Sequence, residues 1–442
     1  MCKAGIISLG CAKNSVDSEV ITGLLQEAGY DITVDITEAD ILVVNTCGFI
    51  NSAKEESVNA ILDAAQYKEN GKCKALIIAG CLAQRYKDEL LVEIPEIDGL
   101  IGTGEIARIV QVVGEALQGK KPAYVNIPTF IYDHQMPRII STPNYSAYIK
   151  IAEGCSNRCA YCAIPEIRGE YRSRTIESVV EEASRLSRSG RREINLIAQD
   201  TTRFGMDLYG EYRLDRLLTE LSRIDNLDWI RLLYAYPTHF TDALIDVIAG
   251  YDKICKYLDI PLQHADDAVL LAMNRRGTGS DILKLIEKLR RKITGLTIRT
   301  TFIVGFPGET EKSFENLVEF VKLVRFDRLG VFTYSPEEGT AAINLSGHVP
   351  DEVKEERRDF LMKIQQKISL QKNREKIGKN IAVLIEGKDE NNQELYVGRT
   401  QADAPEVDGN IFVRGNALSP GDIVDVKVTH AYEYDLIGEV TQ

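Results

Sequence analysis

The sequence predicts an α/β protein in three parts: an N-terminal parallel-sheet α/β domain, a central partial barrel of six β/α units, and a small C-terminal antiparallel β-barrel. Three observations lead there. Apolar runs of strand length alternate with segments of helical periodicity over the first 125 residues, and the alternation resumes from Ala147 to Tyr334. After Gly378 the pattern changes to short apolar runs broken by Gly, Asn and Pro.

In the first part, Ala4–Leu9 is followed by Gly10-Cys11, then by Val16, Val20, Leu24 and Leu25 at helical spacing up to Gly29. Ile41–Val44 leads to Cys47, a helical stretch spans Ser52–Tyr67, and Ala75–Ala79 leads through Gly80 to Cys81. A parallel sheet with right-handed crossovers gathers the C-terminal ends of its strands on one edge, where ligands bind. Cys11, Cys47 and Cys81 are therefore expected to converge there, the alternative being three ordinary buried thiols. Cys2, Cys73 and Cys255 have no such placement.

Residues 126–145 hold Pro128, Pro137 and Pro143 in a sequence of mixed polarity and read as a linker. Candidate strands of the second series are Ala147–Ala152, Glu193–Ala198, Ile230–Ala235, Tyr257–Leu262, Thr297–Val304 and Gly330–Tyr334. Six units are too few to close an eight-stranded barrel, and the polar chemistry again follows the strand ends. Domain limits of 1–125, 146–376 and 377–442 follow, with a charged helix over Asp351–Lys376 leading to the last part.

Composition is that of an ordinary globular protein: 44% hydrophobic and 27% charged residues. Residues 1–30 contain no basic-then-apolar leader, and the longest apolar run, Ala75–Ala83, is far short of a bilayer span. A reducing cytoplasmic location without membrane attachment is expected. The net charge of −13 argues against direct nucleic-acid binding and favours a basic partner or a small substrate. Lys376–Gln442 alone carries six Lys or Arg against twelve Asp or Glu.

The densest chemistry lies in Glu153–Cys162, where Cys155, Cys159 and Cys162 fall within eight residues. Three soft thiolates on one loop suit one corner of a 4Fe-4S cube, leaving the fourth iron open to a ligand. A zinc site is the competitor, but the nearest downstream histidine, His239, is too distant for a local finger. A disulfide framework fits poorly with an odd nine cysteines.

Other strand-end residues have paired readings. Gln199 and Asp200 either hold polar parts of a cofactor or cap the next segment. Gly305-Phe306-Pro307-Gly308-Glu309 either lets backbone approach a nucleoside or is a plain turn. His264 is catalytic or structural, and Arg168, Arg172 and Arg174 either grip a carboxylate or form a solvated cluster.

The stretch Ala152-Glu153-Gly154-Cys155-Ser156-Asn157-Arg158-Cys159-Ala160-Tyr161-Cys162 resembles the signature loop of radical S-adenosylmethionine enzymes. With Ser8-Leu9-Gly10-Cys11-Ala12-Lys13-Asn14 and Asn45-Thr46-Cys47-Gly48-Phe49-Ile50, the whole chain is similar to the methylthiotransferases of that superfamily, whose terminal barrel is called TRAM. The resemblance implies two 4Fe-4S clusters, one on Cys155, Cys159 and Cys162 and one on Cys11, Cys47 and Cys81. It also implies S-adenosylmethionine on the open iron of the first, with Tyr161, Gln199, Asp200, Gly305 and Pro307 in the cofactor pocket.

Two branches of the family compete, one acting on isopentenylated adenosine in tRNA and one on an aspartate of small-subunit ribosomal protein S-twelve. Thr46–Glu55, Ile164–Gly169 and Tyr434–Gly438 resemble the second. An acidic terminal barrel agrees, since it attracts a basic ribosomal protein and repels phosphates. The expected partners are that protein, free or on the small ribosomal subunit, and a reducing electron-donor protein. A non-catalytic iron-sulfur protein that docks on ribosomes is the alternative of another class.

Overall fold

A computed structural model describes residues 2–441. Its first domain is a parallel sheet of β1 (Lys3–Ser8), β2 (Asp31–Ile32), β3 (Ile41–Thr46), β4 (Ala75–Gly80), β5 (Gly99–Ile101) and β6 (Ala123–Tyr124), ordered β2-β1-β3-β4-β5-β6. β1, β3 and β4 are the three apolar runs. β2, β5 and β6 have two or three residues each, too short to leave an apolar pattern. Every residue of β3 and β4 is buried, as expected of a parallel sheet covered on both faces. Helices α1 (Ala12–Glu27), α2 (Asn51–Asn70) and α3 (Cys81–Arg85) begin just past β1, β3 and β4.

The second domain is an open sheet of six parallel strands in chain order: β7 (Ser146–Lys150), β10 (Glu193–Ile197), β11 (Trp229–Leu232), β12 (Ile254–Asp259), β13 (Thr297–Val304) and β14 (Arg328–Thr333). A short antiparallel ribbon of β8 (Ala152–Glu153) and β9 (Arg172–Ser173) brackets the cysteine loop. Side chains alternate across the sheet. Ala147, Ile149, Ile194, Leu196, Ile230 and Leu232 pack outward on the crossover helices with Val179 and Leu217. Tyr148, Trp229 and Tyr257 face the concave side, where they meet Ile21 and Leu25 of α1 and Leu384 and Ala404 of the C-terminal part. The two flanking domains thus line the hollow that six strands leave open.

Residues 126–145 contain no regular element, yet they are no free tether. Arg138 lies buried between α1 and the second domain: Nε donates to Glu19 (2.6 Å), Nη1 to Glu182 (2.6 Å) and Nη2 to the Tyr148 carbonyl (2.7 Å). The helix Asp351–Arg374 lies along β14, with Leu361 and Ile368 in the core.

The last part is a closed barrel of β15 (Asn380–Lys388), β16 (Leu395–Thr400), β17 (Ile411–Arg414), β18 (Ile423–Ala431) and β19 (Leu436–Val440), ordered β15-β16-β17-β19-β18. It departs from a purely antiparallel barrel, because β17 and β19 pair parallel. Apolar runs encode strands but not their direction. The barrel is fixed across the central sheet: Glu193 takes hydrogen bonds from Arg399 Nη2 (2.7 Å) and Arg231 Nη2 (3.1 Å). Arg231 also donates to the Gln401 carbonyl (2.7 Å), Arg328 to Asp403 (2.6 Å), and Tyr257 to Asp408 (2.6 Å). Among the described residues no helix is long and apolar enough to cross a membrane.

Candidate active site between two cysteine edges

The cysteine loop leaves β8 at Gly154, whose φ is +78° and where a Cβ would stand 2.2 Å from the Glu170 carbonyl, so only glycine fits. The loop is then pinned from several elements. Cys155 N donates to Gly169 O (3.0 Å), Ala160 N to Met273 O (2.8 Å), and Asn274 Nδ2 to Arg158 O (2.7 Å). Arg275 joins its far end, donating to the Tyr161 hydroxyl (3.2 Å) with Cys159 Sγ at 3.7 Å. Burial pushes the Cys155 thiol up to about 12 and raises Cys162 as well. Both thiols are therefore protonated at neutral pH until a metal displaces the proton.

The second trio forms as the strand-end logic requires. Cys11, Cys47 and Cys81 follow β1, β3 and β4, and Asn14 ties the three loops, donating from Nδ2 to Leu9 O (3.0 Å) and Thr46 O (2.9 Å) with its Oδ1 3.7 Å from Cys81 Sγ. A Cβ on Gly10 would meet Cys47 Cβ at 2.8 Å, and one on Gly80 the Asn45 side chain at 2.3 Å. Burial raises Cys47, and raises Cys81 to about 11. It acts on Cys11 too, but there Lys13, Arg168 and two backbone N–H groups outweigh it and lower the pKa. Among the described residues no three Cys, His, Asp or Glu side chains close around a single ion. A cube, in which each thiolate takes its own iron, asks for soft donors at wider spacing than a single ion does, and each trio supplies three such donors.

One side chain joins the two edges. Arg168, at the end of the short helix that follows Cys162, lies buried with Nη2 3.6 Å from Cys81 Sγ and bonded to Asn14. Its Nη1 donates to Asp17 (2.9 Å) and Glu153 (3.0 Å), and Lys150 bonds the same two carboxylates. Glu153 sits immediately before the cysteine loop and Asp17 on α1. Cys81 itself packs against Ala163 and Ile167. The reading of Arg168, Arg172 and Arg174 as a solvated cluster is thus corrected: Arg174 is buried against Glu182, and Arg172 bonds the Phe130 and Arg168 carbonyls.

At the mouth of the partial barrel, Gln199 Nε2 donates to Glu153 (2.7 Å), but its buried Oε1 has no partner. Gln263 Oε1 and Tyr334 OH are likewise buried and unpartnered. Buried polar atoms without partners are uncommon, and three around one mouth suit a polar cofactor. Asp200 is committed to the protein, accepting from Asn157 (2.8 Å) and Thr202 (2.7 Å) beside His239. Gly305 has φ +71°, and a Cβ there would strike Lys354 at 2.2 Å, so this glycine admits the long helix. Pro307 is buried in the same turn, whose Glu309 accepts from Gly305 N (2.9 Å) and pairs with Arg357 (2.7 Å). His264 is buried, its Nδ1 accepting from Asp266 N (3.0 Å) and its Nε2 3.4 Å from Glu309 without a hydrogen bond. Sequence reading passed over Lys13, Asp17, Lys150 and Arg275. Only their nearness to cysteines in the chain marks the first three, and nothing local marks Arg275.

Family models match the chain in three blocks: the Uncharacterized protein family UPF0004 over residues 3–102, the Radical SAM superfamily over 149–321, and the TRAM domain over 377–441. A Desulforamulus reducens protein described as "Ribosomal protein uS12 methylthiotransferase RimO" is 55% identical over 440 residues, spanning 99% of each chain. The chain belongs to the RimO family. RimO proteins from Pelotomaculum thermopropionicum (52% identical, 99% of each chain) and Clostridioides difficile (51%, covering 100% of this chain and 99% of that one) agree. As a RimO-family member the chain is a radical S-adenosylmethionine methylthiotransferase, and membership implies a 4Fe-4S cluster and S-adenosylmethionine. Among solved structures, the radical S-adenosylmethionine methyltransferase TsrM from Kitasatospora setae has a TM-score of 0.57 at 16% identity, covering 75% of this chain and 73% of that one. That likeness is one of fold alone.

Proposed function

We propose that this enzyme holds two 4Fe-4S clusters and places a methylthio group on the β-carbon of an aspartate in small-subunit ribosomal protein uS12. The observation that carries the reading is the Arg168–Cys81 contact, which brings the loop of one cysteine trio against the other. Cys155, Cys159 and Cys162 would hold the first cluster, and Cys11, Cys47 and Cys81 the second. When bound, the first cluster and S-adenosylmethionine supply a 5'-deoxyadenosyl radical, and the second carries the sulfur to be transferred.

The chain's own residues provide position and shelter. Gln199, with Gln263 and Tyr334, offers unpaired polar atoms to the cofactor at the barrel mouth. Tyr161, held by Arg275, forms one wall, while Asp200, Gly305 and Pro307 shape the pocket from behind. Arg168 and Lys150, fixed by Asp17 and Glu153, keep the two cysteine loops in register. The functional units correspond to residues 1–125, 146–376 and 377–442, with 126–145 clamped between the first two. The acidic C-terminal barrel favours a basic protein substrate over tRNA, and a reducing protein would donate the electron.

The test is to incubate anaerobically reconstituted enzyme with purified uS12 and, separately, with isopentenylated tRNA, and to weigh both products. One methylthio group is expected on uS12 and none on tRNA. The reverse result would move the chain to the tRNA branch, and absence of 5'-deoxyadenosine would make it a non-catalytic cluster protein.

A further inference from the structure

Three buried cations lie between the two cysteine edges: Lys13, Lys150 and Arg168. Lys150 and Arg168 share Asp17 and Glu153. Lys13 is 8% exposed, and its ammonium keeps some contact with solvent while making no hydrogen bond or ion pair among the described residues. Its one partner is the ring of Tyr234, whose centroid lies 3.2 Å from Nζ. Such a contact stabilises an ammonium only in part and leaves its N–H groups free to take an anion.

The placement of Lys13 runs against local electrostatics. It occupies the first turn of α1, where the helix dipole favours an anion, and that turn contains no acidic residue. The guanidinium of Arg168, bonded to the adjacent Asn14, adds a like charge. Tyr234 is held in the left-handed region at φ +59°, which is costly for a tyrosine. Its backbone is fixed there: Tyr234 N donates to Asp259 (3.1 Å), and its carbonyl accepts from Thr201 N (3.0 Å). Conflicts of this kind, maintained by surrounding structure, mark functional positions. The ring belongs to the loop after β11 at the barrel mouth, while Lys13 stands two residues from Cys11. The ammonium therefore lies between the place where a radical forms and the place from which sulfur is delivered.

We propose that Lys13 binds the side-chain carboxylate of the acceptor residue, presenting the carbon beside that carboxylate to both cysteine edges. The assignment rests on the reading above of an aspartate acceptor. An ammonium suits this task because it forms a strong charge-assisted bond to a carboxylate. Tyr234 directs the lysine chain into the gap and covers its other side.

The test uses reconstituted enzyme and a synthetic peptide spanning the acceptor aspartate of uS12, together with the same peptide carrying asparagine there. Wild-type enzyme is expected to bind the asparagine peptide about 10- to 100-fold more weakly, the range of a charged hydrogen bond. Lys13→Met should lose the same factor with the aspartate peptide and almost nothing further with asparagine, with iron and sulfide counts unchanged. Lys13→Arg should recover most of the affinity. Equal binding of both peptides by wild type overturns the proposal without any variant. So do losses that multiply in the double replacement, or a loss of iron, sulfide or substrate-free S-adenosylmethionine cleavage in Lys13→Met, which would assign the lysine to a cluster or to the cofactor. Failure of wild type to modify the peptide while it modifies tRNA would instead remove the functional reading itself.

Discussion

Replacing Glu193 by alanine should loosen the C-terminal barrel from the central sheet, and the structure sets the size of the effect. The carboxylate is buried and accepts from Arg399, Arg231 and Ser146. Burial alone would raise its pKa, but Arg399 and Arg231 more than offset that and hold it at about 2 against an ordinary 4.5. A depression of that size corresponds to about 3 kcal/mol. Removing one partner of a buried pair costs about 3–5 kcal/mol, because the other charges stay buried and unmatched. For a domain of this size, 3 kcal/mol is about 6–12 °C in Tm.

The assay is built in, since Trp229 is the chain's only tryptophan, is buried, and lies directly opposite Glu193 in the register of β10 and β11. Its fluorescence during unfolding should report the loss. Glu193→Gln should show a similar deficit at neutral pH. For an acid whose pKa is depressed by folding, the stabilisation is complete above its unfolded value and is lost as pH falls through the folded one. The gap between wild type and Glu193→Gln should therefore hold above about pH 5 and close between about pH 4.5 and pH 2. A Glu193→Ala protein that unfolds within about 1 kcal/mol of wild type, the ordinary effect of a point mutation, would refute the reasoning.

Cys159→Ala should abolish S-adenosylmethionine cleavage, while Cys47→Ala should retain cleavage yet form no methylthio product; equal loss of both activities in both variants counts against two separate roles. Gly154→Ala should displace the cysteine loop, because its Cβ has no space beside Glu170 O, and iron bound per chain should fall by about half while the N-terminal trio stays loaded. Glu337→Ala removes the buried carboxylate that Lys54 (3.0 Å) and Arg85 (3.1 Å) hold across the domain boundary. It should cost about 3 kcal/mol and speed proteolysis between the first two domains. Unchanged proteolysis would show that Arg138 and Arg168 suffice to dock them.

How much was legible follows from how local each signal is. Cys155, Cys159 and Cys162 lie on one loop, so their spacing alone carried the reading. Cys11, Cys47 and Cys81 needed one further step, that parallel strands end together, and β1, β3 and β4 were apolar enough to supply it. Arg168 kept two readings because charge usually marks a solvated face, and its partner Asp17 lies 151 residues away. Gly305 kept two readings because sequence does not reveal that Lys354 fills the space beside it. The clamp formed by Arg138 was hidden in a proline-rich stretch for the same reason, its partners Glu19 and Glu182 being remote in the chain. Lys13 drew no notice, since a lone lysine beside a cysteine has no pattern until Tyr234 is seen above it.

The segment Gln401–Asp408, bonded to Arg231, Arg328 and Tyr257, stoppers the hollow of the central sheet from below, and α1 walls its side. Both sets of cysteines follow the C-terminal ends of strands, away from that stopper. Loosening the stopper is therefore expected to free the barrel while leaving both cysteine edges in place.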